Sequence, residues 1–599
     1  MRLQKLFLAP LFFIIFSFQA NSNPLQNHAS PYLAMHGNDP VNWMEWGKPA
    51  LDKAKKENKL LFVSIGYFAC HWCHVMHKES YSNPKIAKKL NKHYISIKVD
   101  RELNPVLDKR LIDFVQVTNG TAGWPLNVFI TPDGYPLVGA TYMPRKHFSS
   151  VLDRLNKKWI ENQFSLSSQA KTMSQTLVSL LEKQEIKIKT SNISTLRSKY
   201  ISEALKYADT MQGGFGQQRK FPQIPQLWAM LKLNKTTKNK QADDFIKLTL
   251  SQMMKKGLHD DIAGGFYRYT TDPDWEIPHY EKMLYTNAMA PLLYFDAAKQ
   301  YNNDAYNKVA LETLTYLQNE MRGSSNAFIT SLSAVDDKGE EGGYYLWQQK
   351  ELQKILSTDE LKIANLYWNM KRPNEKPAGN LPRQYYSLLE LSKKINKPTA
   401  ELDLQITFIK KKLKKHRNKT RNIPRDTKLL SGMNGLTLAA FAQGIQVDIE
   451  DKSLRNTGEK LSQFLISLWD GKKLRRSAAN TKQGTLYDYA AVSWGLLKWG
   501  ISTNNTKTKN TAINIANVAW KRFYNNSWIE DPDSLLPKGV QQAHIADSSL
   551  ISAEALLVEA SLISKDPSLQ KQAKAIFNQM TRSLEVDVFA FSSLLAISE

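Results

Sequence analysis

With 599 residues the chain exceeds the usual size of one domain, and its formal net charge of +25 invites a nucleic-acid reading. The lysines are scattered along most of the chain rather than gathered into a patch, so no nucleic-acid partner is expected. Only two cysteines are present, Cys70 and Cys73, which excludes a disulfide-stapled scaffold and leaves a pair used for chemistry.

Arg2 and Lys5 precede an uncharged apolar run from Leu6 to Phe18, and the small residues Ala20, Asn21 and Ser22 follow. That order predicts a secretory signal peptide over 1–22, hence an exported protein, periplasmic or secreted, with no membrane span after cleavage. Leu60 to Ile65 reads as a buried strand, Gly66 to Ala69 as a turn, and Cys70 to Glu79 as the start of a helix. Further strands are expected at Tyr94–Val99 and Leu126–Ile130. A turn at Pro132-Asp133-Gly134 leads to a short one near Leu137. Strand alternating with helix predicts an α/β domain over 23–185, closed by a polar boundary around Lys183–Thr195. From 195 to 599 the apolar residues take helical period instead, as in Ile246, Leu250 and Met253 or Ala553, Leu556, Leu557 and Ala560. Glycine-rich loops recur between these segments, at Gly213–Gly216, Gly264–Phe266, Gly342–Tyr344 and Gly432–Gly435. The pattern predicts a ring of helical hairpins, an (α/α) barrel, with an irregular helical domain as the alternative.

Between strand and helix, Cys70-His71-Trp72-Cys73 has the context of a thioredoxin-type redox site. Cys70 would lie at a helix N-terminus, where free N–H groups and the helix dipole stabilise a thiolate, the attacking species in disulfide exchange. Cys73, one turn on, would resolve the mixed disulfide. His71, Trp72 and His74 would tune the pair, His71 by adding positive charge. Pro125, just before the strand from Leu126, is expected to be cis and to hold substrate beside the cysteines. The same residues match a c-type haem attachment pattern, Cys70, Cys73 and His77 make a partial metal-ligand set, and a purely structural disulfide is the third rival. The redox reading needs no cofactor and no metal. Its partners would be protein or small-molecule thiols and disulfides.

In the helical part, polar residues collect in the glycine loops. A ring of hairpins would bring Asp261, His279, Glu281, Asp336, Asn434 and Asp488 to one end of its central cavity, with aromatic platforms beside them. Carboxylates at the right separation would serve sugar hydrolysis, and His279 would serve as a base for epimerisation, so a carbohydrate ligand is the second expectation. The rival reading is that each residue caps a helix or ties a loop.

The segments NHASPYL (27–33), DPVNW (39–43), CHWCHVM (70–76), KVDR (98–101), GWPLNVF (123–129), GGFYRY (264–269) and PHYEKMLY (278–285), in that order, resemble the spermatogenesis-associated protein 20 family. The resemblance covers nearly the whole chain after the signal. It implies a thioredoxin-like domain followed by an (α/α)6 toroid of the six-hairpin glycosidase type. The sequence departs from the family pattern at Thr286, where Asp is usual, at Met433, where Trp is usual, and at Ile545-Ala546-Asp547-Ser548, which stands for Pro-Ser-Gly-Asn. Two functions follow: a thiol–disulfide oxidoreductase fused to a ligand-binding toroid, or a carbohydrate-active or sugar-binding protein with a thioredoxin-like accessory module. A non-enzymatic scaffold is a third.

Overall fold

The computed structural model describes residues 23–183, 193–479, 482–537 and 544–597. The expected signal segment and most of the expected boundary segment lie outside the described residues. In the N-terminal domain, β1 (Leu61–Gly66) lies parallel to β2 (Ile95–Asp100) and antiparallel to β3 (Leu126–Ile130), and β3 pairs antiparallel with β4 (Pro136–Ala140). The sheet order is β2-β1-β3-β4. Helix α1 (Lys48–Glu57) precedes β1, α2 (His71–Met76) and α3 (Pro84–His93) lie between β1 and β2, α4 (Pro105–Asn119) joins β2 to β3, and α5 (Arg145–Lys183) follows β4.

Side chains alternate across a strand, so β1 feeds two cores. Leu61, Val63 and Ile65 pack with Ala50 and Ala54 of α1 and Leu111, Phe114 and Val115 of α4. Phe62 packs on the other face with Ile86 and Leu90 of α3, Phe148 and Leu152 of α5, and both cysteines. Gly66 ends β1 on the cysteine side. A Cβ there would lie 2.2 Å from Tyr32 Oη and 2.7 Å from Cys73 Sγ, so the redox pair needs a glycine at this position.

The C-terminal part forms six hairpins: α6 (Ile193–Tyr207) with α7 (Ile224–Thr237), α8 (Lys240–Lys255) with α9 (Leu284–Tyr301), α10 (Asp304–Tyr316) with α11 (Ser431–Val447), α12 (Lys452–Ser467) with α13 (Leu486–Ser502), α14 (Thr506–Phe523) with α15 (Ala553–Ile563), and α16 (Pro567–Val586) with α17 (Ser592–Ile597). The second helix of each pair touches its two counterparts, from α7 through α9, α11, α13 and α15 to α17 and back to α7, which closes an (α/α)6 ring. These inner helices are buried almost all round. Helices α11 and α13 approach closely: a Cβ at Gly495 would lie 2.1 Å from the Gly435 carbonyl oxygen. Four further helices, Gln349–Ile355, Thr358–Tyr367, Leu388–Ile395 and Thr399–Thr420, are inserted between α10 and α11 around a separate apolar core.

The thioredoxin-like domain caps one end of the ring, the end where the inner helices begin. Lys428, just before α11, reaches Asp100 Oδ2 at 2.7 Å and Glu102 Oε2 at 3.2 Å. Arg476, before α13, donates through Nε to the Glu102 carbonyl at 3.1 Å, and Lys109 pairs with Glu530 at 2.9 Å. No described helix is long and apolar enough to cross a membrane.

Candidate redox site at the domain junction

Cys70 is the N-cap of α2. Its Sγ accepts the Cys73 N–H at 3.1 Å, and the two sulfurs form a disulfide. The Trp124–Pro125 peptide is cis, as expected. Pro125 is buried, and the Trp124 ring beside it lies 3.8 Å from the Arg101 guanidinium carbon. Trp72 is 50% exposed and packs against the Tyr142 ring at 5.0 Å. His74 Nε2–H donates to the Phe68 carbonyl at 2.7 Å and so holds the turn that delivers Cys70. Burial pushes both His71 and His74 below the ordinary histidine value. Burial thus works against the positive charge expected of His71.

The rival reading, in which Cys70, Cys73 and His77 hold a metal, gains no support from the geometry. The cysteines are bonded to each other, and His77 turns away to meet Asp39, Nε2 to Oδ1 at 2.6 Å. Asp39 also pairs with His36 at 2.7 Å and accepts from Trp43 Nε1 at 2.8 Å. Burial alone would raise the Asp39 carboxyl, but hydrogen bonds from both histidines outweigh it and hold it below the usual carboxylate range. His36, Asp39 and His77 are the one grouping of metal-ligand type among the described residues, and they are paired directly with one another.

On the cysteine side of the sheet, Lys98 is buried. Its Nζ donates to Ser64 Oγ at 3.0 Å and lies 4.3 Å from the centre of the Tyr81 ring. Burial pushes it down to about 7, against an opposing pull from Asp39. Between pH 7 and the ordinary lysine range the unfolded chain holds a proton that the folded one has released, so this group makes stability rise with pH across that window. Each unit of pH contributes up to about 1.4 kcal/mol. Lys98→Met should therefore be the more stable protein at pH 6, by a few kcal/mol at most, with the gap closing by about pH 10. Urea unfolding of both proteins across that range tests this; parallel curves would contradict it.

Of the six residues expected at the ring's end, only His279 and Glu281 meet. They lie at the junction with the redox domain. Glu281 accepts from Tyr67 Oη at 3.0 Å and from Arg268 at 3.0 Å, and His279 Nδ1 lies 3.4 Å from Glu281 Oε1. The His279 ring is 6.5 Å from that of His71. The other four tie loops, as the rival reading holds. Asp261 accepts from Trp368 Nε1 and Lys410 Nζ, both at 2.6 Å, and so anchors the inserted helices. Asp336 accepts the Lys338 and Glu340 N–H groups at 2.9 Å. Asn434 pairs with both backbone groups of Phe328, and Asp488 caps α13 while accepting from Arg476.

A cavity of about 350 Å³ does lie at this end of the ring, where α7 and α9 begin. Gln223, Gln226, Arg268, Tyr285, Thr286 and Ser548 are among its walls, and no carboxylate is among the described residues that line it. Two of the positions that depart from the family pattern, Thr286 and Ser548, thus line it. Sequence reasoning singled out neither glutamine. It passed over Arg268 although that residue sits inside the GGFYRY segment, which was the available signal.

A thioredoxin-like domain bearing a Cys-x-x-Cys pair, docked on the end of a six-hairpin toroid, defines the class. The Thioredox_DsbH family model, described as "Protein of unknown function, DUF255", matches residues 22–178. Over 564 residues the chain is 31% identical to spermatogenesis-associated protein 20 of Rattus norvegicus, covering 85% of this chain and 70% of that one. The human protein of the same name is 31% identical over 519 residues, covering 80% of this chain. This chain belongs to the spermatogenesis-associated protein 20 family, and it spans 65% of the human relative's length. Among solved structures, cellobiose 2-epimerase from Bacillus thermoamylovorans is similar at 12% identity and a TM-score of 0.39, over 64% of this chain and 86% of that one.

Proposed function

We propose that the protein is a thiol–disulfide oxidoreductase that works outside the cytoplasm. The observation that carries this reading is the place of Cys70 at the start of α2, with its sulfur accepting the Cys73 N–H at 3.1 Å. Once the disulfide is opened, that N–H and the helix dipole favour the Cys70 thiolate over the thiol. Cys73 then resolves, and the Pro125 loop forms the adjoining wall. The order of basic, apolar and small residues over 1–22 supports export. Hydrolysis by a carboxylate pair has less support, because no carboxylate is among the described residues that line the cavity at the ring's end.

Thiol trapping tests the proposal. Protein reduced with dithiothreitol should be alkylated by iodoacetamide at Cys70 before Cys73, as read by mass spectrometry, with the Cys70 reaction persisting to a pH at which a free model thiol is inert. A Cys70 that titrates like the model thiol would refute the reading.

A further inference from the structure

Cys70 is 3% exposed and Cys73 1%, in an apolar cluster to which the toroid contributes Met283 and, at its edge, Tyr285. The two sulfurs are served differently. Cys70 has the Cys73 N–H and the start of α2 to favour its thiolate. Cys73 lies within α2, in apolar surroundings that disfavour the charged form of a thiol. Resolution of a mixed disulfide requires this second sulfur to lose its proton, so it needs a donor of its own.

Tyr32 stands at that sulfur. Its Oη and Cys73 Sγ both lie within 2.7 Å of the point that a Gly66 Cβ would occupy, so the two atoms share the space the glycine leaves open. Tyr32 is fully buried, and its hydroxyl has no hydrogen-bond partner among the described residues. A buried hydroxyl left so costs stability and calls for a reason. The ionisable side chains around it are His36, Asp39, Tyr67, Tyr81, Lys98 and Asp100. Each is bound elsewhere: His36 to Asp39 at 2.7 Å, Tyr67 to Glu281 at 3.0 Å, Tyr81 to Asn127 at 2.7 Å, Lys98 to Ser64 at 3.0 Å and Asp100 to Ser30 at 2.5 Å. The ring is also held in place. Ser30 Oγ caps the one-turn helix Pro31–Ala34 by accepting the Leu33 N–H, and it donates to Asp100, which pairs with Gly66 between β1 and β2. Burial pushes the Tyr32 phenol well above its ordinary value, so it keeps its proton and serves as a donor.

We propose that Tyr32 is a catalytic residue for the resolving half of the exchange, its hydroxyl donating to the Cys73 sulfur whenever that sulfur carries negative charge. The inference rests on the redox reading above. A disulfide sulfur is a weak acceptor, which leaves the hydroxyl without a partner in the oxidised protein; a thiolate is a strong one. The Cys70 thiolate first attacks a disulfide RS–SR, forming a Cys70–SR bond and releasing RS⁻. Cys73 then gives its proton to RS⁻ or to solvent. Its sulfur attacks the Cys70 sulfur, the Cys70–SR bond breaks, and the second RS⁻ leaves. Two electrons pass to the substrate, the Cys70–Cys73 disulfide forms, and Tyr32 ends with the proton it began with. In the reverse direction RS⁻ attacks Cys70, and the same O–H meets Cys73 as the departing thiolate.

The test uses the full chain, reduced and freed of reductant, mixed with less than one equivalent of dithiobis(nitrobenzoic acid). Attack by Cys70 releases one coloured thionitrobenzoate and resolution by Cys73 releases the second, so absorbance follows both steps. Tyr32→Phe should leave the first step within about twofold and slow the second at least about tenfold at pH 7, the worth of one hydrogen bond to a charged group. The Cys70 adduct should accumulate in acid-quenched mass spectra. The deficit should narrow toward about pH 10, where Cys73 ionises unaided. Lys98, Asp100 and the other ionisable neighbours are present in both proteins, so the ratio of the second-step rates isolates the hydroxyl. The oxidised variant should melt no lower than the parent, because the atom removed had no partner. An unchanged second step, a deficit equal at every pH, a slowing of both steps alike, or a lower melting temperature would overturn the inference while leaving the redox reading standing. A reduced parent that releases no thionitrobenzoate would overturn both.

Discussion

Cys73→Ser should turn the protein into a trap: Cys70 still attacks a disulfide, nothing releases the adduct, and one adduct per chain accumulates. Cys70→Ser should instead lose exchange completely, because the remaining sulfur, 1% exposed beneath Gly66 and Tyr32, is not the one at the helix N-terminus. The two variants differ in chemistry far more than in stability. The disulfide closes a loop of only a few residues, so losing it costs roughly 2 kcal/mol on the chain-entropy account. Intact mass after exposure to a small disulfide, read beside a melting curve, separates the two effects. Adducts forming equally well on Cys70→Ser would contradict the assignment of nucleophile and resolver.

The redox half was legible because its determinants are local. A buried strand, a turn ending at Cys70, a helix beginning at His71 and a proline one residue before β3 are all set by neighbours in sequence. The ring was legible from helical stripes on outer helices, such as Ile246, Leu250 and Met253 of α8. Inner helices such as α11 and α13 are apolar on every side and give composition rather than period. The helical site was misread for two physical reasons. Residue type does not reveal which hydrogen bonds a loop carboxylate has already made, and Asp261, Asp336 and Asp488 are spent on loop ties and a cap. Nor does sequence show docking. His279 and Glu281 look like a sugar site until Tyr67 arrives from the other domain and takes the Glu281 carboxylate.

Lys428 is the buried cation of that docking, and Lys428→Met should loosen it. Lys428 Nζ is almost fully buried among Asp100 at 2.7 Å, Glu102 at 3.2 Å and Asp426. Asp100 comes with its own support, a hydrogen bond from Ser30 Oγ at 2.5 Å, so it cannot simply swing away. Burial already pushes Glu102 up to about 8 with Lys428 present to pull it down. Removing the cation leaves three buried carboxylates facing one another, and breaking a buried pair by deleting one partner costs about 3–5 kcal/mol. The carboxylates relieve this only by taking up protons, so the variant's folded state binds protons that its unfolded state has released. Its stability deficit against the parent should accordingly be small near pH 5 and widen toward pH 8. Asp426→Asn in the same chain should recover part of the loss. Because the junction is also what covers Cys70, the reduced variant should react faster than the parent with a bulky maleimide, while the rate with iodoacetamide changes less. A variant with the parent's melting temperature at pH 8 and the parent's maleimide rate would show that the toroid is held by other contacts and that Lys428 is not the pin.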